Sequence, residues 1–418
     1  MTSPGITVVG AGIVGVCCAR FLQRIGFDVT LIDRLEPGAA TSFGNLGMIC
    51  ARELSLPMPS MRLVRAVPRM LLDPDGPLVI RWRHLPQLAP WLVHFVCSAG
   101  ASTRRRNARS LSSLLGRSLE AYRTILEGSG AAPLVRHEGS LIVYETDAAF
   151  AAGAADRAWL RDLGASIEEV GPGDIRDLEP ALAPVFCHGV LTRDCAHTTN
   201  PGRLTRELAQ DVLHAGGRVV RAEVRGAAIA DGTVRLTTDH GPLVSERLVV
   251  AAGAWSAPIA AGLGFRVPLQ AERGYHTRAV GVTTGLRRPI THGETNLGLT
   301  QMDDGLRIGG TVELAGLNAP PRPGRARMVY RLGRRLLADP DWDRSADLVD
   351  WMGHRPSLPD HLPVIGPSPR HRNVWFAFGH QHIGLSLAAV TGQVVADLVA
   401  DRDPGIDVGP YRVDRFGL

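Results

Sequence analysis

Apolar positions along this chain come in short runs punctuated by glycine, and the first 34 residues show the pattern most fully. Ile6-Thr7-Val8-Val9 is largely β-branched with no polar alternation, which predicts a short strand buried on both faces. It runs into Gly10-Ala11-Gly12-Ile13-Val14-Gly15. An apolar helix follows from about Ile13 to Ile25, and Gly26 ends it. Phe27 to Ile32 predicts a second strand that stops on Asp33. Strand, glycine turn, helix, strand and acid in this order predict a dinucleotide site. Gly10 allows the tight turn, Gly12 lets a pyrophosphate approach without a Cβ in the way, and Gly15 brings the helix onto the strand. The helix N-terminus offers unpaired N–H groups and a partial positive charge to the phosphates. Asp33 can accept hydrogen bonds from both hydroxyls of a ribose, which disfavours a 2′-phosphate; Arg34 beside it softens that discrimination. FAD and NAD both fit this fingerprint.

The stretch from Gly38 to Ile49 is small, polar and glycine-rich, a loop that a cofactor can approach closely. Met61 to Ser98 is rich in Pro, Trp and Leu, with Trp82, Trp91 and Phe95 expected as core or interface anchors. Helices are expected over 104–127, 150–163 and 200–215, and strands over 139–144, 218–221, 234–238 and 247–252. The last of these strands runs into Ala252-Gly253-Ala254-Trp255. A second strand-to-glycine junction so late implies a nucleotide domain assembled from separated pieces. Residues 265–345 read as a sheet plus a helix. Val374 to Ala377 is a strand, Gly379-His380-Gln381-His382-Ile383-Gly384-Leu385-Ser386 a glycine-flanked turn, and a helix runs on to about Ala400. The opening logic is thereby repeated, with a helix N-terminus aimed at something electron-rich.

Composition narrows the chemistry. The 418 residues suffice for two domains. The chain contains no lysine, so all 46 basic residues counted as Lys+Arg are arginine. That excludes a pyridoxal Schiff base and a Walker A loop. The net charge of +5 suits acidic substrates or an anionic membrane surface, and no nucleic-acid module is recognisable. None of the six cysteines forms a two-residue-spaced pair, so neither a metal site nor a disulfide framework is expected; Cys17 and Cys18 read as buried packing residues. No apolar run is long enough to span a membrane, and the first strand begins within a few residues of Met1. The expected location is the cytoplasm, free or against the inner face of the membrane.

Taken in order, several motifs resemble the FAD-dependent D-amino acid oxidase/dehydrogenase superfamily. They are the opening glycines with Asp33, the Ser42…Asn45…Gly47 loop, Ala252-Gly253-Ala254-Trp255, Arg273-Gly274-Tyr275, Arg355-Pro356…Pro359-Asp360 and Gly379-His380…Gly384. Within it the chain is most similar to bacterial D-amino acid dehydrogenases of the small-subunit type. The Arg-Gly-Tyr-His and Gly-His-Gln-His stretches also resemble proteins acting on cyclic D-imino acids such as D-proline or cis-4-hydroxy-D-proline. The resemblance implies an α/β chain, α+β overall. A discontinuous Rossmann-like FAD domain (1–90, 195–262 and 350–418) would be roofed by a mixed-sheet substrate domain (91–194 and 263–349).

It implies that Arg355 holds the substrate carboxylate, as the planar guanidinium fork is suited to do. Met48 is expected near the flavin ring, and Tyr275 is a candidate for a carboxylate hydrogen bond or a buried core tyrosine. Gln381 or His382 would hydrogen-bond the amine or a ring hydroxyl, while His380 plays a structural part. The N–H groups of Gly384 and Leu385, beside Ser386, would stabilise charge on the flavin pyrimidine. Gly10, Gly12, Ile13, Val14, Gly15, Asp33, Arg34, Ser42, Asn45, Gly47, Val224, Ala252, Gly253, Trp255, Gly379 and His380 complete the expected non-covalent FAD contacts. The implied reaction is hydride transfer from Cα to flavin N5, giving an imine that water hydrolyses. Sarcosine-oxidase relatives use a lysine to activate oxygen; its absence here favours a dehydrogenase passing electrons to a quinone or carrier. A glycine- or sarcosine-type oxidase is the alternative enzyme. A redox-inert flavin- or NAD-binding sensor or assembly subunit is the alternative of another class.

Overall fold

The structure is a computed structural model and describes residues 4–51, 58–73, 75–339 and 341–417. Strand β1 (Gly5–Val9), helix α1 (Ile13–Arg24) and strand β2 (Asp28–Asp33) form the expected opening unit. β1 lies inside a six-stranded sheet. It pairs in parallel with β2 on one side and with Leu248–Val250 on the other. Val374–Phe378 adds in parallel beyond that, and Val364–Pro367 closes the edge antiparallel. Arg218–Arg221 lies outside β2. Helices cover this sheet, so its central strands are apolar throughout rather than alternating. Against one face pack α1 and the last helix, Gly384–Val399, whose backbones meet at Gly392: a Cβ there would lie 2.7 Å from the Cys17 carbonyl carbon. Cys17 and Cys18 are fully buried at this contact, and burial pushes the Cys18 thiol up to about 12.

A ten-stranded mixed sheet forms the second layer. Its long strands Gln270–Val280 and Asp347–Ser357 pair antiparallel along their whole length, with Glu272 opposite Arg355 and Gly274 opposite Gly353. Helix Pro323–Arg334 packs over its apolar face through Met328 and Val329. Two three-stranded sheets complete the architecture. One is the meander Val224–Ala230, Thr233–Thr238, Gly241–Ser245; the other joins Met48–Cys50 to Cys195–Thr198 and Val135–Arg136.

Several expectations are corrected. The helix over 104–127 is two helices, Ala101–Leu115 and Ser118–Leu126, parted at Gly116. The helix over 150–163 likewise divides at Gly153 into Asp147–Ala152 and Ala154–Asp162. Glycine has a low helix propensity, and each break falls on one. Trp91 and Phe95 are buried and stacked at 5.1 Å, but Trp82 is 72% exposed. Boundaries at 90 and 350 do not follow the sheets. Leu78–Ile80 pairs into the large sheet, and Asp347–Ser357 crosses 350 without a break. Ser118–Leu126, placed with the substrate domain, packs instead under the last helix, where Tyr122 Oη donates to the Leu385 carbonyl at 2.7 Å. Cys50 and Cys195 are register partners with Cα atoms 4.2 Å apart and are joined by a disulfide that the cysteine spacing does not announce.

Candidate functional site

A cavity of about 850 Å³ opens at the C-terminal ends of the parallel strands, beneath the large sheet. β1 delivers Gly10 and Gly12 to it, β2 delivers Asp33 and Arg34, and Leu248–Val250 delivers Ala251 to Gly253. Val374–Phe378 leads to His380, Gln381 and His382, and the last helix begins in the cavity at Gly384.

Each tip has a local cause. Gly10 sits at φ +112°, and a Cβ there would lie 2.3 Å from the Ala251 carbonyl oxygen. A Cβ at Gly15 would lie 1.8 Å from the Gly10 oxygen, so Gly15 lets the helix pack and does not line the cavity. Gly12 begins α1 with no side-chain cap, and Ser42 Oγ accepts the next N–H, that of Ile13, at 2.9 Å. Asp33 closes the turn: Oδ2 accepts the Ala11 N–H at 2.7 Å and Oδ1 the Leu35 N–H at 2.9 Å. Each oxygen retains acceptor capacity for a ribose hydroxyl. Arg34 lies over the Trp255 ring at 4.3 Å and forms one wall with it.

At the second tip Ile383 also lacks a side-chain cap. Ser386 Oγ accepts the Cys50 N–H at 3.1 Å and donates to the Met48 carbonyl at 3.3 Å, which brings Met48 into the cavity beside the helix start. Three further expected contacts, Gly47, Gly379 and Val224, lie behind the lining, and two that reach it, Asn45 and His380, are also engaged with protein. Asn45 Oδ1 accepts the Gly47 N–H at 2.7 Å and shapes the loop, although Asn45 itself lines the cavity. Gly47, at φ +84°, packs on the Thr198 carbonyl; Gly379, at φ +85°, packs on Leu358. His380 lines the cavity, and its Nε2 lies 3.0 Å from Thr391 Oγ1. Val224 starts the meander opposite Thr238 and is not among the lining residues.

The roof carries the charge. Arg355 Nη1 donates to the Thr311 carbonyl at 3.0 Å. Its guanidinium occupies a slot left open by Gly274, where a Cβ would lie 2.3 Å from Nη2. Burial lowers the Arg355 pKa, and nearby Glu272 opposes that shift. His382 is exposed, its surface open to the cavity; the protein packed around it, with the Arg355 charge, holds its pKa down at about 3. His354, edge-on to Trp255 at 5.3 Å, is held at about 4, again chiefly by burial.

Two expected substrate contacts are engaged elsewhere. Tyr275 Oη donates to Glu313 Oε2 at 2.5 Å and accepts the Arg322 N–H at 3.1 Å. Glu313 is fully buried and also pairs with Arg81 at 2.7 Å and Arg273 at 3.6 Å. The tyrosine hydroxyl therefore belongs to a structural ion network, although Tyr275 is among the residues that line the cavity. Gln381, at φ +55°, donates from Nε2 to the Leu358 carbonyl at 3.2 Å and accepts from Ser357 Oγ at 3.3 Å. Both ends of its amide are engaged, leaving His382 as the better placed of the pair. Sequence reasoning missed Glu272 and Trp351. Trp351 stacks on His276 at 4.8 Å, and its ring occupies the space that Cβ atoms at Gly44 and Gly353 would need. The glycine two residues after this tryptophan was the available signal.

The residues present fit FAD. Two helix tips without side-chain caps, an acid at the end of β2 and a mostly apolar cavity between them match a cofactor with a pyrophosphate, a ribose and a large flat ring. The sequence matches the family described as FAD dependent oxidoreductase over residues 5–398. A protein named D-amino-acid oxidase from Bradyrhizobium diazoefficiens is 34% identical over 421 residues, covering 98% of each chain. A D-amino acid dehydrogenase from Paramagnetospirillum magneticum is 33% identical over 430 residues, with the same coverage. Among solved structures, L-proline dehydrogenase from P. horikoshii superposes with a TM-score of 0.75 at 18% identity, covering 99% of this chain and 98% of that one, a likeness of fold. With the cavity built as FAD requires and the match running through nearly the whole sequence, the chain belongs to the FAD dependent oxidoreductases, in the company of the D-amino acid oxidases and dehydrogenases.

Proposed function

We propose that the protein oxidises a D-amino acid or a cyclic D-imino acid such as D-alanine, D-proline or cis-4-hydroxy-D-proline. One observation carries this reading: the Arg355 guanidinium stands in the cavity roof, anchored among the described residues through Nη1 alone, with Nη2 and Nε against the Gly274 slot. A carboxylate is the natural partner of that fork. The bound flavin supplies a hydride acceptor. The chain's own task is to fix the substrate carboxylate on Arg355, present Cα towards the ring and keep bulk water out. Neutral His382 stands beside the same pocket as a hydrogen-bonding group that does not repel the substrate's cationic nitrogen. The first turn of the last helix offers N–H groups to charge that develops at the ring.

The missing lysine supports a quinone or protein carrier as acceptor. So does helix Met61–Leu72, whose Leu63, Val64, Val67 and Met70 line the cavity while Arg62, Arg65 and Arg69 lie on the same helix. With Leu72 84% exposed and Trp82 72% exposed nearby in sequence, this apolar and basic edge suits contact with an anionic membrane surface. Among the described residues no helix is long and apolar enough to cross a membrane. The relative named D-amino-acid oxidase supports oxygen as the second reading of the acceptor. The test is an anaerobic panel of D-alanine, D-proline, cis-4-hydroxy-D-proline, glycine and sarcosine, read by loss of flavin absorbance. A D-substrate should bleach the flavin fastest; no bleaching by any of the five defeats the proposal. Peroxide formed under air decides for oxygen. Arg355→Leu should raise KM about 100-fold, the loss of a charge-assisted pair, while FAD stays bound.

A further inference from the structure

We propose that Glu272 is the residue that reads the substrate's cationic nitrogen, so that Glu272 and Arg355 together grip the two ends of an amino-acid zwitterion. Glu272 and Arg355 are direct partners on antiparallel strands, so both side chains leave the same face of the sheet, and both line the cavity. Although adjacent, the two make no ion pair within 4.0 Å among the described residues, and neither is paired with another charge. Glu272 receives one hydrogen bond, from Ser357 Oγ to Oε1 at 2.8 Å. Arg355 gives one, to the Thr311 carbonyl. An enclosed carboxylate without a cation is costly, and an enclosed guanidinium without an anion is too. A ligand with a carboxylate and an ammonium or iminium group a few bonds apart answers both needs at once. The Ser357 hydroxyl also lies 3.3 Å from Gln381 Oε1, a longer contact that competes for its one hydrogen, so the shorter bond engages Glu272 Oε1 and Oε2 is left for the nitrogen. Burial also raises the Glu272 pKa, against the Ser357 hydrogen bond and the Arg355 charge, so a cation entering the cavity stabilises the ionised carboxylate.

This inference rests on the reading of Arg355 as the carboxylate anchor, and the experiment separates the two. FAD-loaded wild type, Glu272→Gln, Ser357→Ala and Arg355→Leu are compared anaerobically. One ligand is the panel substrate that bleaches the flavin fastest. The other is its nitrogen-free isostere, cyclopentanecarboxylate for D-proline or isobutyrate for D-alanine, titrated by perturbation of the flavin spectrum. Glu272→Gln should raise the half-saturating substrate concentration about tenfold or more and leave the isostere's Kd within about twofold. Ser357→Ala should shift the substrate alone, by less. Arg355→Leu should weaken both ligands. Equal shifts of substrate and isostere in Glu272→Gln, or no shift in either, overturn the Glu272 assignment. Loss of neither ligand in Arg355→Leu overturns the anchor instead. Should Glu272→Gln fail to take up FAD, Ser357→Ala decides on the same criterion.

Discussion

At the scale of single residues the roof is shaped as much by what is missing as by what is present. Gly274 leaves the space in which the Arg355 guanidinium lies. In Gly274→Ala the new methyl would meet Nη2, the far end of a flexible side chain, so the arginine moves and the backbone stays. KM should rise about tenfold to thirtyfold, with FAD content and Tm near those of wild type. An unchanged KM would detach Arg355 from the substrate. Tyr275 gives the complementary case. Its hydroxyl is engaged by Glu313 and the Arg322 N–H, so Tyr275→Phe should cost stability, about 1–3 kcal/mol, because a buried carboxylate loses a donor. Its KM should hold. A KM effect without a Tm effect would return Tyr275 to the substrate. The sequence marked Tyr275 and Arg355 alike, since both residue types bind carboxylates. Which one faces the ligand depends on Glu313, 38 residues further on, and spacing does not reveal that pairing.

At the scale of elements, the two helix tips meet the cavity because α1 and the last helix lie side by side. Gly392 permits that approach. In Gly392→Val the added atoms would meet the Cys17 backbone, which cannot swing aside as a guanidinium can. Overpacking of this kind costs about 1–3 kcal/mol. Since the two tips must converge on one cofactor, the bound FAD per protein, read as the ratio of flavin to protein absorbance, should fall with Tm. Full FAD occupancy at a lowered Tm would mean that the helices need not touch for binding. The tips themselves were legible in the sequence because strand, glycine turn, helix and acid are local: Gly10 to Asp33 suffices. The loop that brings Met48 to the second tip was legible only as a loop. Its anchor is Ser386, 338 positions away, and the Cys50–Cys195 bridge beside it spans 145. Pairings of that range follow from sheet register, which no window of residues contains. The breaks at Gly116 and Gly153 were the opposite case: the local signal was there, and the apolar periodicity around it hid it.

At the scale of the whole molecule, the fold buries imidazoles that are kept neutral, His361 and His380 at the cofactor cavity among them. His197, His361 and His380 are each buried, and burial holds their pKa values at about 4, 3 and 3 respectively, against an ordinary 6.5. The folded pKa lies below the unfolded one. The stabilisation is therefore complete above pH 6.5 and is lost as pH falls through 6.5 towards 3 to 4, because the unfolded chain takes up protons that the folded one refuses. Between pH 6.5 and 5 each such histidine removes roughly 1–2 kcal/mol. The carboxyls of Glu179 and Glu272 work the other way. Burial raises both, so their protonation on acidification favours the folded state and opposes the loss. A net loss of stability on acidification is expected, because buried imidazoles outnumber the carboxyls that oppose them. Urea midpoints at pH 7.5 and pH 5.0, with FAD saturating at both, measure it. An unchanged midpoint would mean that water reaches these rings in solution. His380→Asn separates the local contribution from the general one: it removes one titrating ring, and the acid-induced shift should shrink, however much the substitution costs at pH 7.5. If instead the shift keeps its full size, the His380 ring is protonated in the folded protein, and its packing against Thr391 in the middle of the last helix is looser than a 3.0 Å contact implies.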